Sequence, residues 1–479
     1  MLLPSFIVGS ALALATTAAG SPCSPPNVVH KDIVIVGGGA SGVYAAVRLR
    51  EDFGKSIALI EKREILGGHV DSFTDPETGG NIEFGVQAFL DVGNATGFFD
   101  RLGVARRPFA AERLNSTYID FETGKVLNFT LPPMADQLAA MNKFLQVIEP
   151  WERLLQPGYF DFPDPDEIPG DLLLPFGEFV TKHGIENAVP RIYSISGLGL
   201  GNITNEITMY VLQAFGGPNA RVVVGRGRSF EPASGRNQDL YDAAARLLGS
   251  DVHYSSTIVD SHRTDSKVRV TVQDANTKIN TTIIAKRLLV AIEPSRGRNI
   301  QPLDLDEDEL NLFNKFRYTS RFAGVIDSKA LAVNKSYVNL PANAAPNNYL
   351  SYPEVPFNAR FDYLGTGHYF RVGVMGNHAV RDDNAKQLVQ QSYETLLDAG
   401  DLVPGETDRN ITWKAFSAHG PMYARVSRED IQAGFYKRLY EIQGRRSTWW
   451  TGAAWSAHIQ TVLWKYDDVL IPKMLEGLE

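Results

Sequence analysis

Cysteine is almost absent: Cys23 is the only one in 479 residues, so no intramolecular disulfide can form and the chain must hold itself together by burial. Basic runs are missing as well. Lys plus Arg number 47 against 55 Asp plus Glu, a formal net charge of −8, which removes the electrostatic footprint of a nucleic-acid binder. No His-x-Glu, cysteine pair or other metal-ligand spacing occurs, and no G-x-S-x-G elbow, so no metal and no serine-nucleophile chemistry is expected. After the first twenty residues no apolar run is long enough to cross a bilayer, and no membrane span is expected in the mature chain.

The one long apolar run lies at the start. Leu2 to Ala19 carries no charge, ends in the small residues Ala18-Ala19-Gly20-Ser21 and is followed by the Pro-rich stretch Pro22 to Pro26, which reads as a secretory signal peptide over residues 1–20. Asn94, Asn115, Asn128, Asn202, Asn280, Asn334 and Asn410 each open an N-x-[ST] sequon, a second sign of a secreted or endomembrane-lumenal glycoprotein. A chain of this length buries enough surface to do without disulfides, so the cysteine count does not oppose secretion. Cys23, in the Pro-rich stretch past the cleavage point, is expected to be inert.

The rest is organised around Lys31 to Gly42, KDIVIVGGGASG. Ile33 to Val36 is wholly apolar, as suits a parallel strand buried on both faces. Gly37, Gly39 and Gly42 then fall on the G-x-G-x-x-G spacing, which makes a tight turn, admits a pyrophosphate to the backbone and packs helix on strand. A helix beginning near Ala40 and Ser41 would offer its unpaired amides and dipole to phosphate. Val43 to Leu49 continues with helical spacing, Ser56 to Ile60 is a second apolar strand, and Glu61 closes it 24 positions after Gly37. A carboxylate there is placed to accept hydrogen bonds from an adenosine ribose and argues against a 2′-phosphate. The plainer alternative makes Glu61 a solvated strand-end charge.

Past Glu61 the chain reads EKREILGGHV. The acid, the basic Lys62, then Leu66-Gly67-Gly68 and a polar residue resemble the second phosphate-binding signature of the FAD-dependent amine oxidase superfamily. There the last position is usually Arg; His69 departs from this and resembles the β-cyclopiazonate dehydrogenase family of fungal-type flavoproteins. Asn81 to Phe89, NIEFGVQAF, resembles the superfamily loop beside the isoalloxazine ring, with Gly85 leaving room for the flavin. Val252 to Val259 and Lys267 to Val272 read as strands, followed by Arg287 to Ile292 and Pro294, where the superfamily has A-x-P. The resemblance makes Ile258 the adenine contact, with a core role as the alternative. Near the carboxyl terminus, TWWTGAAWSAHIQTVLW (Thr448 to Trp464) is similar to the terminal signature of the same family, in which Gly452 and Ala453 line the flavin and the next helix points its N-terminus at the ring. Trp449, Trp450 and Trp455 are read as core aromatics.

The resemblance implies an α/β fold: a discontinuous Rossmann-type FAD-binding domain (31–110, 215–300 and 440–479) with an inserted, amine-oxidase-like α+β substrate domain (111–214 and 301–439). It implies FAD as cofactor and oxidation of a small organic substrate, an amine, an indole or another natural product, by hydride transfer to flavin N5, with oxygen or another electron acceptor completing the cycle. Amine oxidases place a Lys near the flavin N5 where this chain offers Arg321, a weak candidate because a guanidinium is not a base at ordinary pH. His69 is a phosphate or loop ligand in the plain reading and a tether for covalent flavin in the sharper one. Two other classes stay open. An NAD-dependent dehydrogenase would share the first glycine motif and Glu61 but has no need of Gly67-Gly68 or the terminal segment. A non-catalytic lipid-binding escort of the same fold would be expected to lose the phosphate motifs.

Overall fold

The computed structural model describes residues 27–111, 113–295, 299–400 and 402–478; the expected signal peptide and Cys23 lie outside them. The first strand, Asn27–Val36, takes the centre of a seven-stranded sheet, with Ile33, Val34 and Ile35 wholly buried. Ile57–Ile60 and then Val252–His253 lie parallel on one side of it, Asn280–Val290 on the other. The last of these is long enough to take two further neighbours end to end. Its beginning pairs antiparallel with Val268–Asp274, which pairs with Ser256–Arg263, and its end pairs parallel with Thr448–Trp450. The carboxyl ends of the parallel strands therefore come together from four separated parts of the sequence, the place where open α/β sheets bind ligands.

The helix Ala40–Glu51 crosses one face of this sheet and is packed by the C-terminal helix Gln460–Leu475. Tyr44 stacks on Trp464 with ring centroids 5.5 Å apart, and the Trp464 indole N–H donates to the Ala40 carbonyl at 3.1 Å. Aromatic and aliphatic burial thus fixes the amino end of the first helix against the end of the chain.

A second seven-stranded sheet runs Thr412–Arg425, Arg317–Asp327, Tyr369–Asn377, Phe357–Tyr363, Lys335–Asn339, Asn115–Asp120 and Lys125–Val126. One face buries Phe322, Ile326, Phe361, Phe370, Val372 and Val374 under the helix Asp382–Ala399. A group of short helices between Met134 and Val223 covers much of the rest.

Two sequence expectations differ from the structure in extent. The single strand expected at 252–259 is broken at Ser255, whose φ of 46° turns the chain, so that Val252–His253 pairs with Ile57–Ile60 and Ser256–Arg263 with Val268–Asp274. Phe316 to Val333 reads as a strand by its sequence, but the strand stops at Asp327. Both endings are set by pairing partners far away in sequence.

Candidate active site

At the first turn each glycine does a different job. A β-carbon on Gly42 would come 1.8 Å from the Gly37 carbonyl oxygen, so Gly42 is held to glycine by helix-to-strand packing. Gly37 has φ of +103° and would meet Ile292 at 2.6 Å. Gly39 differs: a β-carbon there would meet only the Cα of Gly68, at 3.7 Å, and nothing else of the protein. Space is kept open in front of Gly39 that no side chain uses. Beside it the Ser41 hydroxyl is buried without a hydrogen-bond partner among the described residues, at the first turn of the helix. An open backbone, an orphaned hydroxyl and a helix amino end form a cradle for an anion.

The second glycine pair closes on the first. The Gly67 amide donates to the Gly38 carbonyl at 2.9 Å, and a β-carbon on Gly68 would stand 2.9 Å from the Cα of Gly39. Glu61 is 7 % exposed, which disposes of the solvated reading. Its Oε2 accepts the Gly38 amide at 2.7 Å and its Oε1 the Arg63 amide at 2.8 Å, so the carboxylate is aimed into the turn. Lys62 is exposed. Ile258 lies buried at a bulge of the strand that follows, two residues past Ser256, whose amide donates to the Glu61 carbonyl.

His69 follows the pair and enters a group of residues brought together from across the chain. Its ring stacks on His419 at 4.7 Å, and His419 bonds through Nε2 to Asp71, which also takes Arg63 Nη2 at 3.1 Å. The His69 side chain keeps open surface although protein is packed around it. Burial, followed by the neighbouring His419 and His458, holds its pKa well below the usual imidazole value. Burial also lowers His419, against the pull of Asp71, so a neutral imidazole donates its Nε2 proton to a carboxylate. Burial would raise the Asp71 carboxyl, but the hydrogen bonds from His419 and Ser417 and the charge of Arg63 hold it below its ordinary value. The room left by Gly85 is taken by this same loop: a β-carbon would stand 2.3 Å from the His69 carbonyl oxygen. Gly85, expected to clear space for a ring, clears space for the backbone that carries His69.

The terminal segment supplies the opposite wall. Gly452 has φ of +105°, a β-carbon there would meet nothing of the protein within 4 Å, and Ala453 follows it. Gln460 Oε1 and Thr461 Oγ1, at the first turn of the last helix, are buried and unpartnered among the described residues. His458 Nε2 accepts the Tyr423 amide at 2.9 Å, its ring stacks on Tyr423 at 4.0 Å, and burial lowers its pKa to about 3. Arg321 lies directly across the strand pair from His419.

Comparison with known proteins places this arrangement. The profile of the NAD(P)-binding Rossmann-like domain matches residues 35–102. The FAD-dependent oxidoreductase pigF of Monascus ruber is 32% identical over all of both chains. The chain belongs to this family of FAD-dependent oxidoreductases. Beta-cyclopiazonate dehydrogenase of Aspergillus flavus is 31% identical over 96% of each chain. In fold, a conjugated-linoleic-acid-producing fatty acid isomerase from P. acnes superposes with a TM-score of 0.69 at 19% identity, over 92% of this chain and 98% of its own. Putrescine oxidase bound to putrescine gives 0.60 at 15% identity, over 93% and 100%.

FAD is the family's cofactor, and the residues fit it: two glycines fronting open space, an orphaned serine at a helix amino end and a buried carboxylate in the turn are what a dinucleotide requires. The residues that sequence reading did not reach are Asp71, His419, Tyr423, His458 and Glu293. His419 and Asp71 stand 348 positions apart, and nothing local marks either one. Glu293 had a signal, since a carboxylate within Ala291-Ile292-Glu293-Pro294, at the end of a buried strand, is out of place.

Proposed function

We propose that this flavoenzyme oxidises a small natural-product substrate, an amine, an indole or a related compound, in secondary metabolism, with oxygen or another acceptor re-oxidising the cofactor. Bound FAD supplies a two-electron acceptor at N5. The chain's own residues bind, orient and shield. Gly37, Gly39, Ala40, Ser41 and Gly42 are proposed to take the pyrophosphate with Gly67 and Gly68, Glu61 the ribose, Ile258 the adenine, and Gly452 with Ala453 the ribityl side. The segments 31–110, 215–300 and 440–479 would hold the cofactor, and 111–214 with 301–439 would cover it.

Full-length similarity to enzymes named FAD-dependent oxidoreductases, together with the open space before Gly39, carries this reading. His69, His419 and His458, held neutral by burial, stand there as uncharged hydrogen-bonding groups. The test is the purified protein's absorption spectrum followed by anaerobic titration with amines and indoles. Flavin bands bleached by one class of compound support the reading; a colourless protein that takes up no added FAD defeats it. The signal-peptide reading makes the enzyme a secretory-pathway glycoprotein.

A further inference from the structure

Strand register in the second sheet gathers cations on the face turned away from the helix Asp382–Ala399. Phe322, Phe361, Val372 and Val374 point to that helix, so their alternates point the other way. Arg321 lies opposite Met375, Val325 opposite Arg371, Arg371 opposite Asp362, and Val338 opposite Arg360. Arg321, Arg360 and Arg371 thus share one face with Asp362, and Asp327, at the end of that face, is taken by Lys414 at 3.2 Å. Asp362 takes Arg371 at 2.8 Å and Arg360 at 3.5 Å, and also accepts the Ser336 hydroxyl.

Arg321 is left over. Among the described residues it makes no ion pair and no hydrogen bond, and its Nε, like that of Arg360, is buried without a partner. Burying part of a guanidinium without an anion is unfavourable. Burial depresses its pKa, and of its charged and titratable neighbours Arg371 and Arg360 push the same way while Tyr423 and Asp362 oppose them. The location is functional: Arg321 is the cross-strand neighbour of His419, whose ring stacks on His69 beside the Gly67-Gly68 pair. The face around it packs on the hairpin Ser72–Thr74/Asn81–Glu83 of the cofactor side through Ala323 and Val325.

We propose that Arg321, backed by Arg360 and Arg371, is a substrate-anchoring site for a planar delocalised oxyanion, a carboxylate or an enolate, carried by the molecule that the flavin oxidises. This deepens the functional reading above and rests on it. The guanidinium edge matches such an anion with two parallel N–H donors, which an ammonium cannot do. Its part is to position substrate, and the proton chemistry belongs to other groups. Because Asp362 neutralises only one of three charges, a neutral substrate would leave the site short of negative charge.

The experiment uses the FAD-loaded enzyme and reads the flavin absorption spectrum during titration with benzoate, with dimedone, which is an enolate at neutral pH, and with neutral benzamide. Benzoate or dimedone is expected to perturb the spectrum at concentrations at least about tenfold below benzamide, a difference of about 1.4 kcal/mol. Preference for one of the two identifies carboxylate or enolate. In Arg321→Met the anion preference should vanish with flavin content unchanged, and Arg321→Lys should restore part of it. Anions that bind no more tightly than benzamide overturn the proposal, as does an Arg321→Met protein with undiminished preference. Should that variant not fold, the wild-type comparison decides alone. A preparation without flavin fails the functional reading instead, so the two failures are distinct.

Discussion

Glu293 stands just beyond the strand Asn280–Val290, with Oε2 buried and unpartnered among the described residues, and loss of solvent pushes its pKa up to about 8. A carboxyl raised in the folded state contributes stability that is whole below its ordinary pKa and is lost as pH rises through the folded value. The window therefore runs from about pH 4.5 to about pH 8, at up to about 1.4 kcal/mol per pH unit. The thermal midpoint of the FAD-loaded protein should fall across that window and stay flatter in Glu293→Gln; parallel curves would show that Glu293 ionises normally. Gly39 makes a cleaner case. Since a β-carbon there meets only Gly68 Cα at 3.7 Å, Gly39→Val should fold with a wild-type circular dichroism spectrum and retain no FAD. Flavin at wild-type content in that folded variant would refute the phosphate-loop assignment. At His69, acid precipitation separates tether from ligand: flavin wholly in the supernatant excludes a covalent bond, and a yellow pellet lost in His69→Ala establishes one. The glycines were legible because backbone constraints repeat at fixed spacing. Asp71, His419, His458 and Tyr423 were not, because contacts made across hundreds of residues leave no local pattern.

Elements were legible where burial is two-sided or strictly periodic. The run Ile33 to Val36 and the helix over Val43 to Leu49 follow from apolar spacing alone. The break at Ser255 and the end at Asp327 are set by which neighbour offers hydrogen bonds, and pattern cannot supply that. Nor does pattern reveal how the last helix braces the first. Trp464, 1 % exposed, stacks on Tyr44, meets Phe98 edge-on at 5.0 Å and donates to the Ala40 carbonyl, at the residue where the phosphate turn becomes helix. Trp464→Phe should cost about 2 kcal/mol through lost volume and the lost donor. Its effect should appear both in the denaturation midpoint and as weaker FAD retention on dilution. A destabilised variant with unchanged FAD affinity would mean that the helix pair holds the fold without shaping the turn.

At the scale of the molecule, the surface bearing the sequons was not legible in the sequence. Asn94, Asn115, Asn128, Asn280, Asn334 and Asn410 are exposed, as glycan acceptors must be, while Asn202 is engaged: its Nδ2 donates to Glu354 at 2.7 Å and its Oδ1 accepts from the Thr204 amide and hydroxyl. Asn115 and Asn334 are neighbours, the Asn115 amide donating to the Asn334 carbonyl at 3.0 Å, so two bulky glycans would compete for the same solvent. If the amino-terminal segment directs secretion, a eukaryotic host should release a product beginning near Ser21. Glycopeptide mapping should then find sugar at exposed sites, partial occupancy shared between Asn115 and Asn334, and none at Asn202. An unglycosylated intracellular product that still begins at Met1 would remove the secretory reading. Sugar at Asn202 would instead show that glycosylation precedes the closing of the Glu354 contact, since that amide is not free in the folded chain.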